Sequence, residues 1–192
     1  MMRKIERENT GLLQAGQDLV VAGYAGLAGT VKLAEAAKEE LSRWFSDEYM
    51  EEIADAAPLC PVSSEFWRSC GAAEWEPAGE GGILTAIWNL TGAYETGVEF
   101  YLRQIPMRQE TVEVCERLEL NPYRLYSRGC VLLTADNGGQ RVRILAEKHI
   151  PAQVIGRVNK GIAREMIVQE GRGFLERPQP DEITKVIPGF FN

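Results

Sequence analysis

Two adjacent glycines between a predicted strand and a predicted helix constrain the fold of this chain more than any other feature. The strand is predicted over 72–76 and the helix over 81–95, with Gly81 and Gly82 at the helix start. One apolar stripe runs along that helix, formed by Ile83, Ile87, Leu90 and Tyr94. Backbone N–H groups point outward together at such a junction, so the sequence predicts a place where an anion can be held without a charged side chain.

Strand-like and helix-like segments alternate along the whole sequence. A buried strand is predicted over 18–24 and a central strand over 128–135, and an amphipathic helix is predicted over 31–45. The order of elements over 98–158 is strand, helix, strand, helix, strand, which is typical of a split βαβ arrangement. The chain is therefore expected to form a mixed sheet covered by helices, in one domain spanning residues 1–192 with an irregular lead-in or edge strand over 1–16.

Several helix ends are also marked in the sequence. Thr30 is expected to cap the helix over 31–45, and Ser46 to cap a second helix that ends near Ala57. Pro58 should stop that helix, and a terminal helix is expected after Asp181.

Charge and composition exclude several classes of function. The net charge of −7, with Lys and Arg spread along the chain, argues against nucleic-acid binding and against attachment to an anionic membrane. We expect a cytoplasmic protein, because the start of the sequence has no signal-peptide pattern and no apolar run is long enough to span a bilayer. Four cysteines without a paired spacing and a single histidine, His149, predict reduced thiols and no metal site, although the spacing of Cys60 and Cys70 leaves a bridge open.

The candidate ligand residues are few. Gly79, Gly81 and Gly82 could form a phosphate cradle at a helix N-terminus, or they could only form a tight turn. Arg128 could contact a phosphate or a carboxylate, or it could be a solvated surface residue. Glu80 would repel an anion at the same helix start.

One pair of carboxylates could serve acid–base chemistry. Glu74 and Glu76 share one face of the predicted strand, but solvated side chains are the more common outcome for such a pair. No nucleophile–base pair is evident, so no catalytic residue is predicted.

Several segments together resemble the C-terminal domain of the AIR synthase–related family, which includes aminoimidazole ribonucleotide synthase, selenophosphate synthetase, thiamine-monophosphate kinase and the hydrogenase maturation protein HypE. The matching segments are 25–30, 81–88, 105–111, 120–125 and 155–158. The tail, with Phe174–Pro178 and then Asp181–Glu182, is similar to the hydrogenase-maturation-factor-like branch. The resemblance implies a three-layer α/β/α domain with a mixed sheet, like the C-terminal domain of PurM, and with partial ferredoxin-like topology.

The resemblance also implies what this chain has lost. Family members place this domain behind an N-terminal domain that binds ATP and magnesium and forms a dimer, and that half is absent from this sequence. By position, Pro77 replaces a family aspartate and Gly79 a hydroxyl residue, and a Ser-Ser-Gly loop reads Ser127–Arg128–Gly129 here. The C-terminal cysteine that carries carbamoyl groups in HypE is replaced by a Phe191–Asn192 ending.

Two functions follow from this comparison. The first is a non-catalytic binding or assembly module with a degenerate active site, which self-associates as a dimer or docks to a separate protein partner. The second is the substrate-side subunit of a split ATP-dependent enzyme, with Gly81, Gly82 and Arg128 facing the phosphates. Gly129, which follows Arg128, is a further candidate for phosphate or ligand binding. No cofactor is expected on this chain alone, and ATP and magnesium only with a separate nucleotide-binding partner.

Overall fold

The computed structural model describes residues 13–57 and 60–192, which form a mixed sheet with helices on both faces. The strands are β1 (Asp18–Ala22), β2 (Glu74–Pro77), β3 (Gly97–Tyr101), β4 (Val131–Ala135), β5 (Ala152–Asn159), β6 (Arg164–Val168) and β7 (Gly171–Phe174). The helices are α1 (Leu27–Ala36), α2 (Lys38–Leu41), α3 (Asp47–Ala54), α4 (Ser64–Ser69), α5 (Gly82–Ala93), α6 (Gln109–Arg117) and α7 (Gly138–Glu147). Short 3-10 turns cover Leu102–Gln104, Pro122–Arg124 and Glu182–Lys185.

Within the described residues the sheet has seven strands in the order β2-β4-β1-β5-β3-β6-β7. β3 and β6 pair in parallel, and the other neighbouring strands pair antiparallel. β1 lies between β4 and β5, and α7 connects those two strands. This is a split βαβ unit, so that prediction and the mixed-sheet fold class are confirmed.

The two faces of the sheet are buried by different helices, which gives the three predicted layers. Leu19, Val21 and Leu132 pack with α5 on one face. Val20 and Leu133 point the other way and pack with α4 and α7. Burying a side chain of this kind contributes about 1.5–3 kcal/mol to folding, so alternate residues of the central strands hold both helical layers.

A third apolar cluster lies among helices and does not include strand residues. α1, α2, α3 and α6 bury Leu33, Leu41, Ile53 and Val114 together. Ser46 caps α3 as predicted, because its hydroxyl oxygen accepts a hydrogen bond from the Tyr49 N–H at 3.2 Å. The adjoining carboxylates of the first turn suit the positive end of the helix dipole.

The predicted cap at Thr30 is wrong. The residue before α1 is Gly26, in the left-handed region at φ +74°, and Thr30 lies inside the helix. The Thr30 hydroxyl donates to the Gly26 carbonyl at 2.9 Å and also lies 2.9 Å from the Thr111 hydroxyl. A hydroxyl residue marks a helix start only when its backbone is extended, and here a glycine turn begins the helix one turn earlier.

Other element bounds also differ from the predictions. The helix expected over 31–45 is divided into α1 and α2, and the strand expected over 128–135 begins at Val131. The terminal helix after Asp181 is only a 3-10 turn, and β7 was not predicted because its two glycines hide the strand pattern. The first part of the lead-in, 1–12, and the helix stop at Pro58 lie outside the described residues.

Candidate functional site

The turn before α5 is made of residues in the left-handed backbone region. Gly81 has φ +76° and Gly82 has φ +67°. A Cβ atom on Gly82 would lie 2.5 Å from the Tyr123 carbonyl oxygen and 2.8 Å from the Leu125 carbonyl oxygen. Both residues are buried, so glycine is needed here for the backbone angle and for the close approach of another chain segment.

A carboxylate of this chain lies against the same turn. The Gly81 N–H donates a hydrogen bond of 2.6 Å to Asp181 Oδ2. Asp181 Oδ1 accepts from the Tyr126 N–H at 3.1 Å and from the Ile183 N–H at 2.9 Å. Asp181 is only 2% exposed, so one buried carboxylate joins the start of α5, the loop after Pro122–Arg124 and the C-terminal segment.

The electrostatic balance at Asp181 follows from this burial. Desolvation raises the pKa of the carboxyl above its ordinary value, and the three backbone N–H donors partly oppose that rise. The nearby Glu80 carboxylate raises the pKa further. The N-terminus of α5 favours the charged form of Asp181. The chain itself therefore supplies a carboxylate at the helix end where an external anion could otherwise bind.

The remaining candidate residues lie around this turn. The Gly79 carbonyl accepts hydrogen bonds of 3.1 Å from the Ser127 N–H and from the Gly82 N–H, which places the loop containing Arg128 beside the turn. Arg128 is exposed, and it forms no ion pair with any residue in the described part of the chain. The Gly129 carbonyl accepts from the Cys60 N–H at 3.3 Å. The five residues are thus neighbours, and their role as a phosphate site stays a prediction.

Asp181 is the residue of this site that sequence reasoning missed. The sequence marked it only as a residue before a terminal helix, and it does cap the 3-10 turn Glu182–Lys185 through the Ile183 N–H. The hydrogen bond that Asp181 accepts from the Gly81 N–H joins positions 100 residues apart. No local pattern specifies such a pairing, although the tail that includes it also carries part of the family resemblance.

Glu74 and the four cysteines are buried or half-buried, unlike the accessible side chains of reactive sites. Glu74 is 2% exposed, so the expectation of a solvated carboxylate was wrong, and Glu76 is half-buried. All four cysteines are free thiols, and burial raises the pKa of Cys60 to about 12. A thiol of this pKa is protonated at neutral pH and is a weak nucleophile.

No group of three or more His, Cys, Asp or Glu side chains is arranged to hold a metal ion in residues 13–57 and 60–192. Over the same residues, every helix is too short or too polar to cross a bilayer.

The arrangement of a mixed sheet, a glycine turn and helix α5 corresponds to a known class of domain. The family model described as "AIR synthase related protein, C-terminal domain" matches residues 14–169. The chain belongs to this AIR synthase–related family, as its sequence motifs indicated. A comparison with curated protein sequences finds no match.

Solved structures of the same fold agree with this assignment. Escherichia coli HypE, a hydrogenase maturation protein, matches with a TM-score of 0.67 and 22% identity over 90% of this chain and 54% of its own. A HypE–HypF complex matches at 0.63 with 18% identity over 86% and 54%, respectively. Thiamine-monophosphate kinase from Stenotrophomonas maltophilia K279a matches at 0.61 with 16% identity over 80% and 50%. The chain therefore spans about half the length of these structures, and the likeness establishes the shared fold.

Proposed function

We propose that this domain is a non-catalytic binding or assembly module. The observation that carries the proposal is the hydrogen bond from the Gly81 N–H to the buried Asp181 carboxylate. A phosphate oxygen at this helix end would compete with that carboxylate for the same donor and would meet its negative charge. Phosphate binding at the α5 turn is therefore opposed by the chain's own tail.

Association is supported by apolar side chains on one face of the sheet edge. The register pairs Tyr101 with Ile167 and Glu165 with Phe174, so by strand alternation Tyr101, Ile167 and Phe174 share one face, which we call the outer edge face. Phe174 is 70% exposed and Tyr101 is 42% exposed. The same face carries the ion-paired Glu99, Glu165 and Arg172. Exposed apolar residues bordered by charged ones are typical of an interaction surface.

The partner is a second copy of the chain or a different protein. A second copy can place the same face against itself about a twofold axis, which is the commonest symmetry of protein dimers. One structural neighbour, which is a longer protein than this chain, was solved in complex with a different protein, as the HypE–HypF complex. We infer a homodimer as the simplest form for this chain.

Light scattering at micromolar concentration tests the homodimer. The expected mass is about twice the 21.4 kDa of one chain. Phe174→Ser should shift the mass toward one chain, whereas Val62→Ser, at a loop residue that is 81% exposed, should leave it unchanged. A single-chain mass for the unmodified protein would contradict self-association.

A second candidate function is favoured by the position of Arg128. Arg128 is exposed, and the Ser127–Gly79 hydrogen bond holds its loop next to the turn, on a fold shared with a thiamine-monophosphate kinase. In this role the domain supplies the substrate-side wall of a cleft, and ATP with magnesium binds only in the presence of a separate nucleotide-binding chain.

Mixing tests this second candidate. ATP hydrolysis should appear only when the domain is combined with such a chain, and Arg128→Ala should lower the rate while Arg143→Ala, an exposed arginine of α7, should not. Equal rates with and without the domain would contradict it.

A further inference from the structure

A surface cavity separate from the α5 turn lies between α6 and the segment that leads into α3. Its volume is about 520 Å³. Aromatic and charged side chains line it: Trp44, Phe45, Tyr49, Glu113, Glu116 and Arg117. The homodimer proposed above makes no use of this cavity.

The aromatic side of the cavity is held in place by specific contacts. The rings of Phe45 and Tyr49 lie 5.3 Å apart, and the Tyr49 hydroxyl donates a hydrogen bond of 2.6 Å to Glu113 Oε2. The Arg117 guanidinium lies 4.1 Å from the centre of the Trp44 ring. Trp44 is still 60% exposed, so the ring that already contacts one cation has surface left for another.

The charge around the cavity has one dominant sign. The cavity lining itself carries two carboxylates, Glu113 and Glu116, and one arginine, Arg117. Helix α3, which contributes Tyr49 to the lining, carries four carboxylates and no basic residue. Hydrogen bonds from Gln109 and Tyr49 lower the pKa of Glu113, so this carboxylate is ionised at neutral pH. An indole face beside ionised carboxylates is a suitable site for a guanidinium or ammonium group, and it disfavours an anion.

We propose that this aromatic–acidic cavity binds an arginine- or lysine-bearing segment of a partner protein. The proposal rests on the binding function proposed above and names the chemistry of one partner. The basic side chain stacks on Trp44 and pairs with Glu116, while Glu113 and Tyr49 shape the wall. A peptide segment is favoured over a small cation because the cavity is open to solvent at the start of α3, and further carboxylates follow along that helix.

Fluorescence anisotropy with a labelled peptide of four Arg-Gly repeats, at low ionic strength, tests the proposal on the full chain. Saturable binding is expected, and a Glu-Gly repeat peptide should not bind. Trp44→Ala should weaken binding by roughly two- to fivefold through loss of the cation–π contact. Glu116→Gln should weaken it by a similar factor, and it keeps the size of the side chain.

The matched control is Glu147→Gln on α7, which changes the net charge by the same amount at an exposed position remote from the cavity. It should alter binding less than either cavity variant. Equal weakening by Glu147→Gln and Glu116→Gln would mean nonspecific charge attraction and would overturn the proposal. Absence of peptide binding, or competition by spermine equal to that by the peptide, would overturn it too. Loss of the dimer in light scattering is a separate result that bears on the proposed function.

Discussion

In the turn before α5, Gly82 lies against the backbone of residues 123–125, with no room for a Cβ atom. Gly82→Ala should lower the free energy of unfolding by roughly 2–4 kcal/mol, because the new Cβ meets the Tyr123 carbonyl oxygen and the backbone is left-handed. Gly161→Ala is the matched control, since Gly161 has φ +91° and no atom within 4 Å of the added Cβ. Urea unfolding should show the smaller loss, about 1 kcal/mol, for the control. Equal losses in the two variants would show that packing at the turn contributes nothing.

Asp181 should contribute to stability through the three backbone N–H groups that it accepts from. Asp181→Ala leaves the N–H groups of Gly81, Tyr126 and Ile183 without their acceptor, and we expect a loss of roughly 2–4 kcal/mol. Asp55→Ala, at an exposed aspartate after α3, should change stability by no more than about 0.5 kcal/mol. Thermal and urea unfolding of the two variants give the comparison, and similar curves would contradict this assignment.

The raised pKa of Asp181 also predicts a pH dependence. The folded state holds the proton more tightly than the unfolded state, so ionisation of Asp181 costs stability as pH rises from about 4 through its raised pKa. Other carboxylates titrate in the same range, and the quantity to measure is therefore the difference in unfolding free energy between the unmodified protein and Asp181→Asn. That difference should fall as pH rises through this window. A constant difference would mean that burial does not perturb the carboxyl.

At the scale of single elements, the cap of α3 gives a direct test. Ser46→Ala removes the acceptor for the Tyr49 N–H and should cost about 1 kcal/mol. Ser42→Ala, at an exposed serine after α2, is the control and should be nearly neutral. Because α3 also forms one wall of the aromatic–acidic cavity, loss of this cap should weaken peptide binding as well. Equal stability of the two variants would contradict the capping role.

Elements were predicted well where their signal is local. The apolar stripe of α5 and the Ser46 cap lie within one segment each, and both are confirmed. The predicted cap at Thr30 is wrong because Gly26, earlier in the segment, starts the helix sooner. Strand β7 was not predicted, because Gly171 and Gly173 remove the alternating pattern of a strand. The strand is defined by its pairing with β6.

At the scale of the whole molecule, the resemblance predicted the family and the three-layer fold, because the order and spacing of many weak motifs are specific together. The proposal that Gly79, Gly81, Gly82 and Arg128 form a phosphate site came from the same resemblance and stays a prediction. The contact of Asp181 with Gly81 did not, because it depends on how the C-terminal segment packs across positions distant in sequence. The aromatic–acidic cavity likewise requires α3 and α6 to be adjacent, which neither helix specifies alone.

We propose that the Asp181 carboxylate closes the turn before α5 to phosphate. A thermal-shift measurement of the chain alone with magnesium and ATP, at concentrations up to millimolar, checks this, because a ligand specific to the folded state raises the melting temperature. We expect no shift with ATP or inorganic phosphate. A saturable rise with ATP that Arg128→Ala abolishes would show that the turn is open to phosphate.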